Sequence, residues 1–197
     1  MKTIKDNKRR DFIRVLGLGV IATASTAFAR GGRGGKGGRR TKEVVALSDY
    51  QKDELFKIFQ EEKVARDVYI TLGRLYPDEN TFAKIQLSEQ EHMLAAQVLC
   101  ERYGIDTSDV DISLNDDAIG QFELLEMQTL YNSCIELGSV SHLEAVKVGE
   151  LVEITDIEDI EHASEGMPAD VVKTYDNLLA GSYSHLDAYR KAIARLS

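Results

Sequence analysis

A turn signal of five residues, Tyr76-Pro77-Asp78-Glu79-Asn80, separates two apolar-periodic stretches and leaves Glu62 and the pair Glu89-x-x-His92 at nearly equal distances on either side. Proline breaks a helix that reaches it. Helical flanks must therefore fold back antiparallel, and about thirteen residues at about 1.5 Å each put the three side chains at one level, roughly 20 Å from the turn. A carboxylate at i and a histidine at i+3 share one helix face. Carboxylate oxygen with some imidazole nitrogen suits iron or manganese, so this hairpin reads as half of a metal site. A second half is offered by Glu150 and Glu153 on one side of Gly166-Met167-Pro168 and His185 on the other.

The same periodicity sets the element expectations. Leu47-Ser48-Asp49-Tyr50-Gln51 is a capping-box signature and opens helix one, Ser48 to Leu75, with Leu55, Phe56, Phe59, Val64, Val68, Ile70 and Leu72 as apolar positions. Thr81 caps helix two, which runs to about Tyr103 and stops at Gly104. Residues 104–120 are polar and turn-rich, and a short helix, Phe122 to Leu137, follows them. So long a connection is a crossover rather than a tight hairpin, and it lets helices two and three run parallel. Helix three begins near Ser139 or Ser141 and runs through Glu153, where Thr155-Asp156 recaps a short segment, Ile157 to Ser164; helix four runs from after Pro168 to about Leu196. No stretch reads as a strand, so the fold class is all-α: a four-helix bundle with a long crossover carrying an extra short helix.

Charge divides the chain. Of its 24 Lys/Arg and 33 Asp/Glu, twelve basic and two acidic residues lie in 1–42, which leaves 43–197 near −19. Such acidity argues against nucleic acid or anionic membrane as a partner and fits attraction of cations. Lys8-Arg9-Arg10-Asp11-Phe12-Ile13-Arg14 before the apolar run Val15 to Ala27, with Ala27-Phe28-Ala29 behind it, reads as a twin-arginine-type signal over 1–29 and implies export to the periplasm or beyond. The run is too short for a permanent span; an uncleaved interfacial anchor is the rival reading. Residues 30–46, rich in Gly and Arg, form a flexible linker, and 47–197 the bundle domain. Cys100 and Cys134 are the only cysteines; one disulfide and two packed thiols both fit.

Glu62-Lys63-Val64-Ala65-Arg66-Asp67-Val68-Tyr69 resembles the first site helix of rubrerythrin-type ferritin-like proteins, and Glu89-Gln90-Glu91-His92 their second. Gly149-Glu150-Leu151-Val152-Glu153 is similar to the paired glutamates of the third. In the fourth, where those proteins carry another E-x-x-H, the chain keeps His185 and has Ser182 in place of the glutamate. Over most of 47–193 the chain also resembles the ferritin-like family known as the domain of unknown function 2202, through Glu61 to Tyr69, Ser88 to Met93, Leu130-Tyr131, Ala145 to Gly149, Glu153 with Asp156-Ile157, and Asn177 to Ser182 before His185.

The resemblance implies a ferritin-like bundle with metal ligands Glu62, Glu89, His92, Glu150, Glu153 and His185, of which Glu150 and Glu153 compete for one inward position. Asp156 is a replacement for the missing fourth-helix carboxylate or a cap; Tyr69 or Tyr183 supports a ligand from behind; His185 is a ligand or a hydrogen-bonded bundle histidine. Glu61 and Glu91 read as solvated neighbours, His142 and His162 as surface residues, and Arg66-Asp67 as a surface ion pair or a clamp on a site carboxylate. The function expected is an exported protein holding one or two iron or manganese ions, a non-haem di-iron oxidoreductase in type, acting on oxygen, peroxide or ferrous iron. The alternative is a non-enzymatic envelope bundle that binds a metal or protein partner at a degenerate site. Besides metal ions and a small oxidant, a homodimer is compatible with the chain.

Overall fold

The computed structural model describes residues 45–197; the signal expected over 1–29 and most of the linker expected over 30–46 lie outside them. The described residues are all-helical, with α1 Asp49–Leu75, α2 Asn80–Arg102, α3 Leu125–Gly138, α4 His142–Ala163 and α5 Ala169–Leu196. No strand occurs among them, and none of these helices is long and apolar enough to cross a membrane.

Local chemistry sets most boundaries. Ser48 Oγ accepts from the Gln51 amide at 3.2 Å while Gln51 Oε1 accepts from the Ser48 amide at 3.0 Å, a reciprocal cap worth about 1 kcal/mol. Helix α2 starts one residue before Thr81 because Glu79, not Thr81, is its cap: the Glu79 carboxylate accepts from the Thr81 amide and hydroxyl at 3.1 and 2.6 Å. A carboxylate is the stronger partner for a positive helix N-terminus. Gly104 and Gly166, at φ of 70° and 73°, supply the left-handed turns after α2 and α4.

Two expectations are corrected by tertiary contacts. Helix α4 runs unbroken through Thr155-Asp156, because the Asp156 carboxylate is held by Ser182 of α5 and does not cap its own backbone. The short helix begins at Leu125, later than expected, because Gln128 turns back to bond Gly120 O and the Phe122 amide, keeping 121–124 out of the helix.

The four long helices pack as two antiparallel hairpins, α1 with α2 and α4 with α5, and the hairpins meet through α1 against α4 and α2 against α5. Tyr69 meets Glu153 while Lys57 meets Asp159, so α1 and α4 are antiparallel. Glu89 meets His185 while Arg102 meets Asp170, so α2 and α5 are too. Helices α2 and α4 consequently run parallel, the arrangement a long crossover permits.

An apolar cluster that includes Leu55, Phe59, Met93, Leu99, Tyr175 and Leu178 fills the half of the bundle far from the Tyr76 turn. Toward the turn, the Tyr69, Phe82 and Tyr189 rings pack at tilted angles with centroids 5.2 to 6.2 Å apart. Between these layers lies a belt of buried polar side chains.

Candidate metal centre

Each long helix sends its own residues into that belt: Glu62 from α1, Glu89 and His92 from α2, Glu153 and Asp156 from α4, Ser182 and His185 from α5. All but His92 are at least nine-tenths buried, and the His92 side chain is 12% exposed. Glu89 sits at the middle. Its two oxygens lie 3.0 Å from His92 Nδ1 and 2.7 Å from His185 Nδ1; Glu62 Oε2 is 3.4 Å from His92 Nδ1, and Glu153 Oε2 is 3.5 Å from His185 Nδ1. The ligand atoms of Glu89, His92 and His185 lie within 4.8 Å of one another.

These contacts have ion-pair distances, yet none has the directionality of a hydrogen bond. Both oxygens of Glu62, Oε1 of Glu89, Oδ1 of Asp156 and the Nδ1 atoms of both histidines are buried without a hydrogen-bond partner. A buried polar atom left unpaired costs about 1–3 kcal/mol, and native interiors carry few of them. Six such atoms converging from four helices, with lone pairs available on carboxylate and imidazole, are what a cation requires and what a structural network avoids. The donor set, all oxygen and nitrogen without thiolate, fits iron or manganese.

Without a cation, protons take its place. Burial lowers His92 and His185, but the flanking carboxylates outweigh it and take them to about 11 and about 9. Burial raises Glu89 as well; the two imidazoles more than reverse that and hold it at about 2. Burial lifts Glu62 to about 7 and Glu153 to about 8, and holds Asp156 well above the usual carboxylate range.

Two outer groups fix the ligands. Tyr69 OH donates to Glu153 Oε1 at 2.6 Å, while Tyr183 is exposed and donates to Glu161 on the outer surface. A Cβ on Gly181 would lie 2.4 Å from His92 Cε1 and Nε2, so the His92 ring rests against bare α5 backbone and stacks on His185 at 5.4 Å. Glycine inside a helix costs roughly 0.5–1 kcal/mol relative to alanine, a sequence signal that could have marked this packing requirement.

Of the six expected ligands, five converge. Glu150 does not: it lies on the outer side of α4, where Arg190 Nε donates to it at 3.1 Å. Other expectations are corrected. Glu61 is not solvated; it is buried, 3.2 Å from Lys57 Nζ and in electrostatic contact with Asp159. Arg66 and Asp67 are fully buried, and Arg66 bonds Asp67, Gln90 and Ile112 O rather than a ligand carboxylate. His142 is two-thirds buried, bonded to Glu79 and stacked on Tyr76. Glu91 and His162 are exposed as expected. The two cysteines are free, buried thiols.

The chain is similar to the uncharacterized protein MJ0754 of Methanocaldococcus jannaschii, 35% identical over 144 residues that span 73% of this chain and 75% of that protein. A crystal structure described as hypothetical protein MJ0754 superposes with a TM-score of 0.71 at 33% identity, covering 80% of this chain and 87% of that one. Residues 51–196, which hold every residue of the centre, match the family described as an uncharacterized protein domain, DUF2202. The chain therefore belongs to the DUF2202 family.

Proposed function

We propose that this protein is an exported, ferritin-like metal protein in which Glu62, Glu89, His92, Glu153 and His185 hold iron or manganese for redox chemistry with oxygen, peroxide or ferrous iron. The observation that carries the reading is the set of buried carboxylate and imidazole atoms that converge without hydrogen bonds. The rubrerythrin-like motifs support it, as does the parallel placement of α2 and α4. When bound, the metal supplies one-electron steps and Lewis acidity toward a small oxygen species. The chain's own residues hold the site dry between two apolar layers, fix Glu153 through Tyr69, and store protons that a cation displaces. Cys100 and Cys134 are separate buried thiols, so electrons come from another protein or from the substrate metal. Twin-arginine export moves folded proteins, which suits a metal acquired before export.

Ser182 in place of a carboxylate is the observation on the side of a non-enzymatic bundle. That reading expects a redox-inert ion or none, and no consumption of peroxide. Elemental analysis after expression in iron- and manganese-supplemented medium tests the proposal. Bound transition metal is expected in the wild type and not in Glu62→Ala or Glu89→Ala; a wild type without metal, or metal indifferent to both substitutions, would overturn it.

A further inference from the structure

Three oxygens of the belt lie outside the tight Glu89, His92 and His185 group and make no hydrogen bond: both of Glu62, of which Oε2 has only the 3.4 Å contact to His92 Nδ1, and Oδ1 of Asp156. Asp156 is 7% exposed and one turn beyond Glu153 on α4. Its other oxygen, Oδ2, accepts from Ser182 Oγ at 2.7 Å, and Ser182 is wholly buried at the α5 position three residues before His185. The hydroxyl thus fixes one edge of the Asp156 carboxylate and leaves the other facing no donor. Glu62, Glu153 and Glu89 all act on Asp156 electrostatically, Glu62 most strongly.

Charge balance gives these oxygens a purpose. Four buried carboxylates, from Glu62, Glu89, Glu153 and Asp156, face two imidazoles that are neutral when they ligate a metal. One divalent cation leaves two carboxylates that either keep protons or stand uncompensated in a water-poor interior; a second divalent cation displaces those protons and neutralises the set.

We propose that Asp156, positioned by Ser182, is a ligand of a second divalent cation shared with Glu62, so that α4 supplies the carboxylate that α5 lacks. The proposal rests on the metal-binding reading above and adds to it a residue and a stoichiometry. Equilibrium dialysis of the full chain against manganese(II), with elemental analysis and EPR, separates the two. The wild type is expected to hold two ions per chain with an exchange-coupled EPR signal. Asp156→Asn is expected to hold one, with the signal of an isolated ion. Ser182→Ala, which keeps every carboxylate, is expected to weaken only the second ion, by roughly 10–100-fold. Asp156→Ser combined with Ser182→Glu moves the carboxylate to α5 and is expected to restore coupling. One ion in both wild type and Asp156→Asn overturns the second site and leaves the first standing; loss of both ions from a folded Asp156→Asn overturns the assignment of Asp156 to the second ion. No ion in the wild type, with Glu89→Gln indistinguishable from it, overturns the metal reading itself. Should Asp156→Asn fail to fold by circular dichroism, Ser182→Ala decides: an unchanged second ion overturns the proposal.

Discussion

Two buried polar regions share α1 within one turn of each other, and they solve burial in opposite ways. Lys63, Arg66 and Asp67 are fully buried and close on protein partners; of their side-chain polar atoms only Arg66 Nη2 lacks a hydrogen bond, and it lies 2.7 Å from Asp67 Oδ1. Lys63 Nζ donates to Asp67, Ala118 O and Gln121 O at 2.7 to 3.0 Å; Asp67 also accepts from the Gly120 amide, and Arg66 donates to Asp67, Gln90 and Ile112 O. Together they clamp the crossover to α1. The Glu62 belt brings its groups just as close and leaves six atoms without a directional hydrogen bond. Burial of charge is therefore no signature of a site by itself; unsatisfied convergence is.

The contrast is broken or sharpened by substitution. The largest effect is expected in the satisfied network, where Asp67→Ala strands Lys63 and Arg66 as buried charges and should cost about 3–5 kcal/mol in denaturant unfolding. Metal affinity of the molecules that remain folded should be unchanged. In the belt the pattern inverts. Glu62→Gln should lower metal affinity by more than the roughly 10–100-fold expected of an outer partner. At pH 8 it should raise the melting temperature of the metal-free protein, because it removes a carboxylate whose ionisation the fold resists. A destabilised metal-free Glu62→Gln would make the belt a second structural network.

Gly181→Ala drives a methyl into the His92 ring, with an expected cost of about 1–3 kcal/mol together with weaker metal binding. Calorimetry on the variant checks both. A smaller change is expected of Tyr69→Phe, which removes the bond to Glu153 for about 1 kcal/mol of stability.

The pH dependence of the metal-free protein follows from proton affinity. Glu62 and Glu153 titrate above their ordinary 4.5 at about 7 and about 8, and His185 and His92 above 6.5 at about 9 and about 11. All four bind protons more tightly folded than unfolded, so their contribution is complete below the unfolded values and is lost as pH rises through the folded ones. Melting temperature without metal should fall from pH 5 to pH 9, and manganese should flatten the slope. A rising curve in the absence of metal would contradict the proton-loaded belt.

Where a signal is local, the sequence carries it. Ser48 and Gln51 lie three residues apart and their box forms; Glu62, Glu89, His92, Glu153 and His185 sit at matched depth on helices whose turns are marked by Pro77 and Gly166, and they converge. The misreadings concern partners distant in the chain. Thr155-Asp156 resembles a cap until Ser182, 26 residues on, takes the carboxylate. Arg66-Asp67 reads as a surface ion pair or a carboxylate clamp because the carbonyl and amide that bond the two side chains belong to a crossover about fifty residues away. Glu150 and Glu153 are equivalent by composition, and only the rotation of α4 sends one inward and the other to Arg190.

The most direct test is anomalous diffraction from crystals of the full chain grown with manganese. A peak is expected enclosed by Glu89, His92 and His185, between the Glu62 and Glu153 carboxylates, and absent in Glu89→Gln. No peak among these residues, with their side chains ordered and manganese bound elsewhere on the acidic surface, would contradict it.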